Sequence, residues 1–278
     1  MKTKIIVKMF CLIIIVSFAS SVNAEIVFTQ PLNEEASSAA QVQDHIPATL
    51  LSDLSQDFVS SLAGLVTGDI PTSVAPPSIS IVDITPNVRA GRDADSIQWV
   101  AHKQTEQNFD GYAELNVNDA KLIAEAGFNK VRMPSGIDLR FFKAMEQRGK
   151  AYDRLSKRVV TDKQILWRVC YAQYVDGVQL SGKYGKLCMH IYPDRNIWTV
   201  MSTLALVGSA NSNYIMLTEK EALYDVVTRL LKESDRIFVK NVALEYSVNP
   251  VLGELELVYT MSYMDDMKGH WISVPATK

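Results

Sequence analysis

One stretch, residues 170–190 (CYAQYVDGVQLSGKYGKLCMH), concentrates residue types that do chemistry. Gly177, Gly182 and Lys183 spell most of a phosphate-binding loop, in which backbone amides and a lysine cradle a phosphate chain. That chemistry also needs a Ser or Thr after the lysine to hold magnesium, and a helix whose first amides face the phosphates. Here Tyr184 follows the lysine, Gly185 disfavours a helix start, and the next residues are apolar and strand-like. The stretch is therefore read as something other than a nucleotide site. Cys188 and His190 stand two apart, so on a strand they share a face, and Cys170 would make a third metal ligand. His45, His102 and His270 are scattered, and no Cys-x-x-Cys or His-x-x-x-His spacing occurs. Neither a metal nor any other cofactor is expected. A cysteine nucleophile beside His190 would need a free thiol, and a disulfide between Cys170 and Cys188 competes for it.

Other candidates are thinner. Glu254 and Glu256 alternate on one strand face and Asp265-Asp266 close it, a pattern that suits a solvated face or a turn. No Gly-x-Ser-x-Gly nucleophile elbow is present. No catalytic residue is assigned. Tyr171, Tyr174, Tyr184 and Tyr192, with Trp167 and Trp198, crowd around the cysteine stretch and suit either core packing or a binding surface.

The compartment decides between the uses of the thiols. Lys2, Lys4 and Lys8 precede an apolar run, Met9 to Ala19, and Val22-Asn23-Ala24 offers small or slim residues for cleavage. This predicts a secretory signal peptide over residues 1–24, the run being too short to span a bilayer. Cys11 would leave with it, so Cys170 and Cys188 remain in an oxidising setting and are expected to pair. The loop they close should stabilise the fold by roughly 3 kcal/mol. A hairpin centred near Gln179 would set the cysteines opposite each other; a tight turn at Asp176-Gly177 would instead make a three-stranded meander with the cysteines on non-adjacent strands. The expected location is periplasmic or secreted, with no transmembrane anchor after cleavage. A net charge of −3, made more negative by loss of the leader lysines, gives no electrostatic footprint for nucleic acid.

The elements that must position these residues read as follows. Residues 25–67 form a loose arm and an amphipathic helix from Pro47 to Val66, with Leu51, Leu54, Phe58, Leu62 and Leu65 as its stripe and Gly68 as its stop. Residues 68–80 form a Pro-rich linker, and 81–278 one domain. Within it, 78–84 alternates as a strand, 93–108 suits a helix, and 116–134 suits a helix from Asn118 to Gly127 followed by a strand Phe128 to Met133. The string Gly127-Phe128-Asn129-Lys130-Val131-Arg132-Met133-Pro134 resembles the helix-to-strand step of the (β/α)8 glycoside hydrolases, which implies a pair of catalytic carboxylates. That family places its acid/base in an Asn-Glu-Pro string, whereas here Asn249 is followed directly by Pro250, and the chain is short for eight repeats; the barrel is not adopted. Residues 135–156 suit one or two helices carrying Leu139, Phe142, Met145, Tyr152 and Leu155, and Ile165 to Val175 a strand. Residues 196–210 fit either. Thr218 and Glu221 form a capping box opening a helix with Leu223, Val226, Val227, Leu230 and Leu231 on one face. Residues 236–248 and 253–265 alternate around a turn at 249–252.

The expected fold class is α+β, an antiparallel sheet packed with helices, preceded by an N-terminal helix and a Pro-rich linker. The expected function is a non-enzymatic part or accessory of an envelope assembly such as a pilus, secretion or conjugation apparatus, with other envelope proteins as partners. The alternatives are an exported hydrolase with dispersed catalytic residues and a soluble ligand-binding protein.

Overall fold

The computed structural model describes residues 25–30, 41–50, 56–68, 81–92, 98–103, 111–152, 155, 158–181, 184–208, 213–233, 236–249, 253–265 and 268–278. The expected leader, Cys11, residues 69–80 of the expected linker, Leu51, Leu54, Gly182, Lys183 and Asp266 lie outside them. In chain order come β1 (Glu25–Phe28), β2 (Gln41–Gln43), β3 (Ile46–Leu50), α1 (Gln56–Thr67), β4 (Val82–Thr85), β5 (Val88–Arg92), β6 (Gln98–His102) and α2 (Val117–Phe128). Then follow β7 (Asp138–Tyr152), β8 (Val159–Val175), β9 (Val178–Leu180), β10 (Lys186–Ile191), β11 (Ile197–Ser202) and β12 (Ala205–Val207). The last elements are β13 (Asn213–Ile215), α3 (Glu219–Glu233), β14 (Arg236–Asn249), β15 (Glu254–Asp265) and β16 (Lys268–Pro275).

This corrects the expected fold class. Among the described residues the chain is mostly β, with sixteen strands against three helices, and its strand pairing is mixed: β1 runs parallel to β14 while other pairs are antiparallel. Two compact units divide the chain, one formed by 1–46, 209–249 and 254–278, the other by 47–208 and 250–253.

The larger unit is an antiparallel sheet in the order β7-β8-β10-β11-β6-β5-β4. Helices α1 and α2 cover one face. Phe58, Val59, Leu62 and Ala63 of α1 and Ala120 and Ala124 of α2 are fully buried against Val100, Val169, Leu187, Met189 and Val200. Burial of this apolar area is the main force holding the unit, at roughly 25 cal/mol per Å2. Gly68 closes α1 with a φ of 86° and an N–H bond to the Gly64 carbonyl, as its sequence position suggests. Asn116 caps α2 by accepting the Asp119 N–H.

The smaller unit is a sheet in the order β1-β14-β15-β16 with α3 against it. The capping box forms: Thr218 Oγ1 accepts the Glu221 N–H, and the Glu221 carboxylate accepts the Thr218 N–H. Leu223 and Leu230 face inward. Asp44, buried, accepts from the Leu257 and His45 amides and the Thr277 hydroxyl, fastening the C-terminal segment to β15.

Four segment expectations need correction. Pro47 sits in β3 rather than opening a helix, and α1 begins at Gln56. Residues 98–102 of the expected 93–108 helix form β6, in which buried Gln98 and Val100 alternate with half-buried Trp99 and Ala101. Phe128 ends α2 and no strand follows it to Met133. The expected helix over 135–156 is β7. A bulge between Phe141 and Lys143 breaks its period of two, so Phe142 and Met145, three apart, share one face while Leu139 lies on the other. Residues 196–210, undecided by sequence, supply β11 and β12.

Candidate functional site

Strand β8 ends in the tight turn Asp176-Gly177, with φ of 50° and 82°, the signature of a two-residue hairpin. The turn pairs Tyr174 with Gln179. The cysteines nevertheless meet, because after Leu180 of β9 the chain makes an excursion and returns, as β10, to the same edge of β8. Cys188 pairs directly with Cys170, their Cα atoms 4.1 Å apart and their sulfurs at disulfide distance. The two registers weighed from sequence are thus not alternatives. Gly185 makes the return: its φ is 63°, and a Cβ there would lie 2.6 Å from Leu180 Cβ. Lys186 Nζ ties the excursion down by donating to the Leu180 carbonyl at 2.8 Å. A strand, not a helix, follows Gly185, so the segment lacks the helix that a phosphate-binding loop requires.

Cross-strand pairing builds rows on the sheet face opposite α1 and α2. One row is Gly91, Trp99, Met201, Cys188, Cys170 and Lys143. The next is Arg89, Ala101, Thr199, His190, Arg168 and Met145. On the other side of the cysteines lie Lys186, Ala172 and Arg140. The β7 bulge brings Phe142 onto this face beside Lys143.

Several cations of this face lie over aromatic rings or beside an imidazole. Lys143 Nζ is 5.1 Å and Lys186 Nζ 4.6 Å from the Phe142 ring centroid. Arg89 lies 5.7 Å over Trp99, which itself covers Gly91. Arg140 lies 4.3 Å over Tyr174. Arg168 Nε donates to His190 Nε2 at 2.9 Å. Burial, then the Arg168 guanidinium, push the His190 pKa down to about 4, so its imidazole is a neutral acceptor. Carboxylates also enter: Asp138 meets Arg140 at 2.7 Å, and Asp83, opposite Arg89 in the ladder, meets Lys103 at 2.8 Å.

The acids of the same ribbon are engaged elsewhere. Arg148 binds Glu114, Glu146 and Asp162 at 2.7–2.8 Å. Its hydrogen bonds hold the Glu114 and Asp162 carboxyls below their ordinary pKa, and theirs raise its own. Gln164 completes this knot by exchanging two 2.8 Å bonds with the Leu115 backbone.

The remaining sequence candidates do not converge. Glu254 meets His45 at 3.3 Å, Glu256 accepts from Asn249 at 2.7 Å, and Asp265 meets His270 at 2.7 Å. His102 bonds the Val66 carbonyl at 3.0 Å. Cys188 and His190 do share a face, yet no group of three or more potential metal ligands gathers among the described residues. Of the aromatics, Tyr171 is buried and stacked on Phe128, and Trp198 is buried against His102 and Tyr192. Trp167 donates to the Leu115 carbonyl. Tyr174 lies under Arg140 on the cationic face. Sequence reasoning missed Arg89, Arg140, Lys143 and Arg168. The signal was available as the period-two strings Arg168-x-Cys170 and Lys186-x-Cys188-x-His190, which put cations on the cysteine face.

No protein-family model and no curated protein matches the chain. A solved structure of an uncharacterized protein from Eubacterium rectale is similar, with a TM-score of 0.53 and 11% identity over 90% of this chain and 88% of that one. At that identity the likeness is one of fold alone. No helix among the described residues is long and apolar enough to cross a membrane, a statement that does not extend to strands.

Proposed function

We propose that this protein is an exported, non-enzymatic component or accessory of a bacterial envelope assembly, periplasmic or secreted, and that it works by docking other proteins. The observation that carries this reading is the sheet face around Cys170 and Cys188, which is broad, built from seven strands in register, and furnished with exposed or half-exposed cations. A flat face of this kind suits a macromolecular partner, whereas small molecules favour concave sites. A cysteine pair at disulfide distance supports the export half of the reading.

Blue-native electrophoresis of native envelope extracts tests it. The protein should migrate in a complex far larger than its 31.0 kDa chain. Migration as a free monomer in such extracts would sink the reading.

A further inference from the structure

We infer that the outer edge of β16 pairs antiparallel with β16 of a second copy of this chain, joining two smaller units through one continuous sheet. This contact uses the smaller unit rather than the cysteine-bearing sheet, so it goes beyond the docking reading above.

Backbone geometry sets which groups the edge offers. β16 pairs with β15 from Val258↔Pro275 to Asp265↔Lys268 without a register shift. One residue further on, the Ala276 N–H donates to the Leu257 carbonyl at 2.9 Å. Antiparallel ladders alternate between residues that exchange bonds and residues that do not. Lys268, His270, Ile272 and Val274, in step with Ala276, therefore turn their amides toward β15. Gly269, Trp271 and Ser273 turn theirs outward, and Pro275 offers a carbonyl alone. The same residues are exposed, Trp271 at 76%. No strand covers this edge among the described residues. Folded chains guard an open edge with a bulge, a mid-strand lysine or a proline. Residues 269–274 contain none of these, and Lys268 and Pro275 stand only at the ends.

The outward row also selects its partner. Gly269, Trp271 and Ser273 run small, large, small, and so read alike in both directions. Under a two-fold axis at Trp271, every outward N–H meets a carbonyl of the other copy: Gly269 exchanges bonds with Ser273, and Trp271 with its own counterpart. The two indoles then form an aromatic cross-strand pair. Space is open beside them, since a Cβ on Gly269 would meet nothing within 4 Å. Lys268 falls opposite Val274, so the two lysines stand about 20 Å apart along the seam, beyond the screening length of about 8 Å. The same patch serves both copies, and the assembly closes at two.

Sedimentation equilibrium of the purified protein over a wide concentration range tests this. The parent should pass from monomer to dimer and no further. Trp271→Lys, and separately Ser273→Pro, should raise the dissociation constant at least about tenfold, with circular dichroism and urea midpoint checked against the parent. Leu122→Lys, at an equally exposed apolar position on α2, should dimerise as the parent does. Hydrogen exchange of the parent reads the edge without any substitution. Amides of Gly269, Trp271 and Ser273 should gain protection in the dimer, while those of His270, Ile272 and Val274 are protected in monomer and dimer alike. A monomer at the highest soluble concentration, growth past the dimer, indifference to Trp271→Lys, or outward amides equally exchangeable in both states would each overturn the inference.

Discussion

At the scale of single residues, the neutral state of His190 has a measurable consequence. Its free imidazole titrates near 6.5 and the folded one near 4. Between those values the unfolded chain binds the extra proton, so stability is complete above pH 6.5 and falls as pH drops toward 4, by up to about 3 kcal/mol. Urea midpoints across this range should show the decline. His190→Gln retains an acceptor for Arg168 and should flatten that part of the profile without loss at neutral pH. Gly185 is a second decisive residue. Gly185→Ala forces a Cβ toward Leu180 and strains a positive φ, and should cost about 1–3 kcal/mol. A full-strength urea midpoint would count against the described return of the chain. Some of this was legible beforehand. The cysteine pair followed from composition and compartment, but the left-handed role of Gly185 did not, because a Ser-Gly or Tyr-Gly pair marks a turn without saying where the chain goes next.

At the scale of elements, the cysteine-joined ribbon of β8 and β10 should behave as a unit. Cys170→Ala with Cys188→Ala removes a closure spanning 18 residues and should lower stability by roughly 3 kcal/mol, with thiol labelling of the native parent finding neither cysteine free. The Arg148 knot predicts a different signature. Glu114 and Asp162, ordinarily near 4.5 and 3.8, are depressed, so their stabilising contribution is present above those values and lost as pH falls through the lower folded ones. Arg148→Gln should lower the urea midpoint at neutral pH and flatten its dependence below pH 4.5; an unchanged acid limb would show that the knot contributes nothing. Elements were legible where one period dominated. α3 announced itself through Thr218, Glu221 and its spaced leucines, and β14 and β15 through alternation. β7 was hidden because Leu139, Phe142 and Met145 stand at a helical spacing, although in the strand Leu139 faces the helix-covered core and the bulge sets Phe142 with Lys143 on the opposite face. With β7 misread, the cations it contributes could not be placed beside those of β8.

At the scale of the whole molecule, the balance of strand and helix turned on such segments: 98–102 and 138–152, expected as helix, are strand, 197–202 and 205–207, undecided from sequence, join them, and the fold class moves with them. Charge is also arranged at this scale. A formally negative chain gathers Arg89, Arg140, Lys143, Arg168 and Lys186 on one sheet face, while Glu114, Glu146 and Asp162 are knotted around Arg148. Chains that are acidic overall stay soluble and repel stray polyanions, so a local basic face can act selectively rather than as a general adhesive.

The parallel pairing of Glu25–Phe28 with Arg236–Val239 has a temporal side. Synthesis delivers the N-terminal side first, so Glu25–Phe28 must stay without this mate until more than two hundred later residues have arrived. The sheet β7-β8-β10-β11-β6-β5-β4 pairs wholly among residues 82–202 and can collapse during that interval. In pulse-labelled refolding, amides of β10 and β11 should therefore gain protection ahead of those of β1 and β14. β1 can be seated only once β14 has arrived, and any holdase that escorts this chain has that segment to grasp until then.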